Sequence, residues 1–122
     1  MKALVVDDSR AMRMLLSTML REFGFDVAQA CHGREALAHL MAHPDVDLAL
    51  IDWNMPEMNG LELVEAVRAG AHWPSLRMMM VTTETEMDQM TRALMAGAHE
   101  YVMKPFTRAV IEQKLRVLGL AA

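Results

Sequence analysis

The sequence predicts an α/β fold: a doubly wound, three-layer sandwich around a five-stranded parallel sheet. Three observations carry this. Five short apolar runs alternate with five segments of helical period, the pattern of repeated βα units. Residues 47–51 are almost continuously apolar, as a strand buried on both faces requires. Polar groups able to do chemistry follow directly on several runs, as expected where a parallel sheet opens its ligand crevice beyond the carboxyl ends of its strands.

The first strand is expected at Ala3–Val6. Met12, Leu15, Leu16, Met19, Leu20 and Phe23 then recur at helical spacing, with Ser9 as N-cap and Gly24 as the stop. A weaker run, Asp26–Ala30, is the second strand. The second helix carries Ala36, Leu37, Leu40 and Met41 on one face and ends before Pro44. The third strand, Asp47–Ile51, belongs near the centre of the sheet. The third helix runs from about Gly60 to Ala69 with Leu63, Val64 and Val67 inward, and Gly70 and Pro74 mark the connection to a fourth strand at Arg77–Val81. Met78–Met80 on that strand read as core. The fourth helix covers about Glu86–Ala96 and stops at Gly97, the fifth strand is Glu100–Met103, and Thr107 caps a fifth helix with Ile111, Leu115 and Leu118 inward. Right-handed crossovers with helices on both faces leave strand order 2-1-3-4-5 as one of two common choices, and periodicity does not select between them.

Length and composition bound the function. The chain of 122 residues is expected to form one domain, 1–122, large enough to bury a core without disulfides or structural metal. With 53% hydrophobic and 23% charged residues it has a globular composition, and no apolar stretch approaches the roughly 20 residues of a membrane span. Met1-Lys2 with four apolar residues before Asp7 is too short for a signal peptide, so a cytoplasmic location is expected. A net charge of −4 without a basic stripe argues against direct nucleic-acid binding and for protein partners. Cys31 is the sole cysteine, so no internal disulfide forms, and a lone thiol at a strand end reads as a small buried hydrophobe.

The chemistry lies at the strand ends. Asp7 and Asp8 follow the first run, Asp52 the third, Thr82 the fourth and Lys104 the fifth. Each alone reads as a cap or loop residue, but their joint occurrence at four strand ends does not. Three carboxylates in one pocket repel one another unless a cation neutralises them. Oxygen-only ligands select Mg²⁺, Mn²⁺ or Ca²⁺, and two or three carboxylates plus water suit Mg²⁺, which also binds phosphoryl oxygens. Lys104 adds a positive charge and Thr82 a hydroxyl donor for a transferring phosphoryl group. One carboxylate is then the nucleophile, and Asp52, after the most buried strand, is best placed.

At these residues the chain resembles the receiver domain of two-component response regulators, most closely the stand-alone chemotaxis receivers. The resemblance spans nearly the whole chain: Val5-Val6-Asp7-Asp8-Ser9, Asp52-Trp53-Asn54-Met55-Pro56 with Asn59-Gly60, Val81-Thr82, and Tyr101-Val102-Met103-Lys104-Pro105-Phe106. It implies order 2-1-3-4-5, often a cis peptide before Pro105, and a phosphoryl group received from a sensor histidine kinase or phosphotransfer protein. Asp52 then resembles the phosphoacceptor, Asp8 the direct Mg²⁺ ligand, Asp7 the water-mediated one, and Asn54 the donor of a backbone carbonyl to the metal; Mn²⁺ or Ca²⁺ can substitute. Thr82 and Lys104 resemble the switch pair, and Tyr101 the aromatic rotor that turns inward. Asn54, Thr83 and Glu84 flank the path of the hydrolytic water and tune phosphoryl lifetime, and Thr83 departs from the smaller residue usual in the family.

The resemblance also implies an outward docking face on the fourth helix, fifth strand and fifth helix. Here that face would contain Met87, Met90, Leu94, Tyr101 and Met103, and methionines suit an adaptable surface. Core packing is the competing reading of the Met87, Met90, Leu94 spacing. His39 and His43 stand at a metal-capable i, i+4 spacing, but no third ligand follows in sequence. A monomer that switches by phosphorylation is expected, with dimerisation on phosphorylation left open and the downstream target unspecified. The alternatives are a receiver belonging to a longer multidomain regulator, a phosphatase of the haloacid dehalogenase type, and a flavodoxin-like carrier. The phosphatase needs an acid/base Asp where Asn54 stands, and the carrier needs a phosphate loop where Asp7-Asp8 would repel the flavin phosphate.

Overall fold

The computed structural model describes residues 1–70, 72–83 and 87–120. Its strands and helices alternate as β1 (Lys2–Val6), α1 (Arg10–Glu22), β2 (Asp26–Ala30), α2 (Gly33–Ala42), β3 (Leu48–Ile51), α3 (Gly60–Ala69), β4 (Arg77–Thr82), α4 (Met87–Ala96), β5 (Glu100–Met103) and α5 (Arg108–Val117). The strands pair in parallel in the order β2-β1-β3-β4-β5, the choice that periodicity left open.

The two-residue pleat of the strands sorts the core into two layers. Leu4, Val6, Ala49, Ile51, Met78, Met80 and Tyr101 face α2, α3 and α4, packing with Ala36, Leu40, Leu63, Val64, Val67 and Ala93. Ala3, Val5, Leu48, Leu50, Met79, Val81 and Val102 face α1 and α5, packing with Leu16, Leu20, Ile111 and Leu115. Every residue of β3 is buried, which fits its place between β1 and β4. Met78, Met79 and Met80 are core, as their apolar run predicts.

Caps set the helix starts. The Ser9 side chain accepts from the Met12 N–H and Thr107 from the Val110 N–H, both as expected. Two further caps were not read from the sequence. The His32 ring accepts from the Glu35 N–H, and Asn59 with Glu62 forms a reciprocal capping box whose signal is the Asn-x-x-Glu spacing. Gly24 and Gly97 have φ of 96° and 124°, the left-handed conformation that ends α1 and α4 without steric cost.

Two expected core positions are exposed. Leu15 lies at the margin of the α1 stripe, whose covered positions are Leu16, Met19 and Leu20. Met41 points to solvent from the last turn of α2, beyond the covered Ala36 and Leu40. β4 also runs one residue further than expected, because Thr82 pairs with Met103. The start expected for α4, Glu86, lies outside the described residues, and the described helix begins at Met87.

Candidate phosphoacceptor site

Register brings the acidic residues together. Val6 pairs with Ile51, so Asp7 and Asp52 leave adjacent strands side by side. The ladder runs on past both, since Asp7 N–H donates to the Ala30 carbonyl at 3.1 Å and Asp52 N–H to the Val6 carbonyl at 2.9 Å. Lys104 N–H likewise donates to the Thr82 carbonyl at 2.9 Å. Asp7, Asp52, Thr82 and Lys104 therefore sit on one rim, held by backbone hydrogen bonds rather than by loop conformation, with Asp8 following Asp7 into the loop.

Asp7 is buried, Asp8 exposed, and Asp52 is 8% exposed. One carboxylate oxygen from each lies within 4.8 Å of the others. The Lys104 ammonium enters between the two buried carboxylates, 2.8 Å from Asp7 Oδ2 and 3.6 Å from Asp52 Oδ2. Asp7 is fixed further: its Oδ1 accepts from the Ser9 N–H, and its backbone carbonyl accepts from the Arg13 guanidinium at 2.8 Å. Nothing in the sequence pattern singled out Arg13. Its signal is position alone, one helical turn after the Ser9 cap.

Burial pushes the Asp52 carboxyl above its usual pKa; Lys104 opposes this, the Asp7 charge adds to it, and hydrogen bonds from the Thr82 side chain and the Trp53 backbone oppose it. Three carboxylates face one ammonium, so the pocket is short of positive charge. Three hard oxygen donors within 4.8 Å of one another fit a divalent ion, because an octahedral Mg²⁺ site places neighbouring oxygens about 3 Å apart and needs only a small closure.

The β3–α3 turn is shaped by close approach. The Gly60 N–H donates to the Trp53 carbonyl at 2.9 Å, and a Cβ at Gly60 would collide with the Asp52 carbonyl oxygen. Only glycine lets α3 start this near the phosphoacceptor candidate. Thr82 is wholly buried at the end of β4, and the pleat sets it on the same face as Tyr101, its diagonal neighbour on β5.

A sequence profile describing the response regulator receiver domain matches residues 3–116. The chain belongs to that family. It is 44% identical over 119 residues to the chemotaxis protein CheY1 of Helicobacter pylori, covering 97% of this chain and 96% of that protein. It is 48% identical over 121 residues to a CheY homologue of Campylobacter jejuni, covering 98% and 93%. Among solved structures, Vibrio cholerae CheY4 superposes with a TM-score of 0.88 at 35% identity, covering 96% of this chain and 97% of that one. The protein is thus a CheY-type receiver, a signalling switch of two-component systems that implies a histidine kinase on one side and downstream targets on the other. The phosphatase and flavodoxin alternatives are set aside by this membership. No helix among the described residues is long and apolar enough to cross a membrane.

The remaining predicted site residues are spread more widely. Asn54 and Thr83 are exposed at the rim, and Glu84 lies outside the described residues. The Lys104-Pro105 bond is cis. The expected docking face is not uniformly outward: Met87 is 76% exposed, Leu94 45% and Met103 46%, whereas Met90 packs partly against the core. Tyr101 departs from that expectation. It is 8% exposed and belongs to the core layer beneath α4, because its pairing with Met80 puts it on the covered face of β5. His39 and His43 stack with ring centroids 4.3 Å apart, and among the described residues no third His, Cys, Asp or Glu ligand atom joins them.

Proposed function

We propose that this receiver accepts a phosphoryl group on Asp52 from the phosphohistidine of a sensor kinase or phosphotransfer protein. The observation that supports it is the convergence of the Asp7, Asp8 and Asp52 carboxylates with the Lys104 ammonium at one sheet edge. An Asp52 carboxylate oxygen attacks phosphorus, the P–N bond breaks, and the imidazole leaves with the bond's electron pair. Lys104, already between Asp7 and Asp52, moves its charge toward the phosphoryl oxygens, and the Thr82 hydroxyl turns its donor to the same group. Asp8, Asp52 and the Asn54 carbonyl would hold Mg²⁺, with Asp7 acting through water; bound there, the ion would supply positive charge to the acidic pocket, and Mn²⁺ or Ca²⁺ could substitute. Hydrolysis of the acyl phosphate by water ends the signal, and Asn54, Thr83 and Glu84 tune its rate. The domain thereby catalyses its own phosphorylation and dephosphorylation.

The output runs through β4 and β5. Movement of Thr82 toward the phosphoryl group opens space on the face it shares with Tyr101, and the surface carrying Met87, Leu94 and Met103 changes shape for a target protein. Trp53, buried beside Asp52, reports the chemistry. Wild-type protein given Mg²⁺ and acetyl phosphate or phosphoramidate gains one phosphoryl mass with a change in Trp53 emission. The Asp52→Asn variant gains none. An equal gain in that variant places the acceptor elsewhere and overturns the assignment.

A further inference from the structure

A second group of metal-ligating side chains lies outside the acidic pocket. Cys31 follows β2, His32 caps α2 and Glu35 stands in its first turn, and one ligand atom of each lies within 4.8 Å of the other two. The Glu35 carboxylate accepts from the Cys31 N–H at 3.3 Å and from the Cys31 thiol at 3.4 Å, while His32 Nδ1 accepts from the Glu35 N–H at 3.2 Å. Cys31 is half-buried rather than the buried hydrophobe expected of a lone thiol, so an ion can reach the group from solvent.

We propose that Cys31, His32 and Glu35 bind a transition-metal ion of the Zn²⁺ class, with water completing a tetrahedral set. The donor chemistry carries the argument. Sulfur, nitrogen and oxygen together suit a borderline ion, whereas the oxygen-only pocket at Asp52 suits a hard one. Tetrahedral Zn²⁺ places its ligand atoms about 3 to 4 Å apart, so the three groups need to close by no more than about 1–2 Å. On binding, the Cys31 thiol releases its proton to solvent, and thiolate and carboxylate together balance the ion's two charges. The positive end of α2 then meets a neutral group rather than a cation.

The site has a built-in exchange. A neutral imidazole has one acceptor nitrogen, and in His32 that lone pair caps α2 by accepting from Glu35. Metal ligation takes the lone pair over, so the ion replaces a helix cap as it binds. The same helix end is tied to the loop after Asp52, since the Gly33 N–H donates to the Met58 carbonyl at 3.0 Å and a Cβ at Gly33 would lie 2.7 Å from Met58 Cβ.

Titration of the full chain with Co²⁺ as an optical probe tests the site independently of phosphotransfer. A thiolate-to-metal charge-transfer band is expected to saturate at one equivalent, to be displaced by Zn²⁺ and to survive excess Mg²⁺. It also survives Asp52→Asn, which separates this site from the acidic pocket. Cys31→Ser abolishes the band. His32→Asn, which keeps a capping side chain, and Glu35→Gln each weaken Co²⁺ binding by at least about tenfold. The proposal is overturned by absence of the band, by its persistence in Cys31→Ser, or by unchanged affinity in both His32→Asn and Glu35→Gln, which would leave a bare thiolate as the ligand.

Discussion

Helices α3 and α4 are both ten residues long and cover the same face of the sheet, yet they are held very differently. α3 buries Gly60, Leu61, Leu63, Val64 and Val67 and starts in a capping box. α4 buries Ala93 alone and leaves Met87, Leu94 and Met95 exposed. The difference follows what each helix adjoins. α3 begins against the carbonyl of Asp52, the proposed phosphoacceptor, where the geometry would have to be rigid. α4 follows the end of β4, where Thr82 lies. An element with little buried surface is the one that a modest change in contacts can move, so the fold places low local stability at α4, the proposed output side, and high local stability at α3, beside the proposed phosphoacceptor.

The contrast can be broken by measurement. The largest effect is expected from Leu63→Ala, which should lower the unfolding free energy by about 3 kcal/mol in urea titration, as a wholly buried leucine does. Mg²⁺ at a hundredfold over its dissociation constant should add about 3 kcal/mol in wild type and much less in Asp8→Asn, because an ion held only by the native pocket stabilises only the native state. Asn59→Ala should cost about 1 kcal/mol through the lost capping box.

Asp52→Asn sharpens the comparison through pH. Burial raises the Asp52 pKa, so ionising it opposes folding: the stability present at low pH is progressively lost as pH rises from the ordinary carboxylate range through the raised folded value. At neutral pH the variant should resist more urea than wild type, with the gap closing as the solution is acidified to the ordinary carboxylate range. The smallest effect is expected at Leu94→Ala, below about 1 kcal/mol, with α4 amides exchanging hydrogen faster than those of α3. Equal costs at Leu63 and Leu94, or equal exchange in the two helices, would remove the mechanical distinction.

Much of this was legible in one dimension. The order of elements, the Ser9 and Thr107 caps, the central third strand and the chemistry at the ends of four apolar runs all follow from local patterns, because capping and periodicity are short-range. That Asp52, Asp7, Asp8 and Lys104 meet needed only the premise that parallel strands share an edge, whereas the division of metal roles between Asp8 and Asp7 rests on the family resemblance. What stayed hidden depends on which neighbour covers which side. Leu15 and Met41 carry the right residue type at the edge of a helical stripe, and only the packed structure shows that they stay exposed. Tyr101 reads equally well as surface or core until its pairing with Met80 sets its face. The grouping of Cys31, His32 and Glu35 is local, but it depends on His32 capping α2, a role that a histidine side chain does not announce in sequence. Side-chain type and spacing state what a residue can do; the order and register of the strands decide what it meets, because contacts between distant segments are properties of packing rather than of the chain.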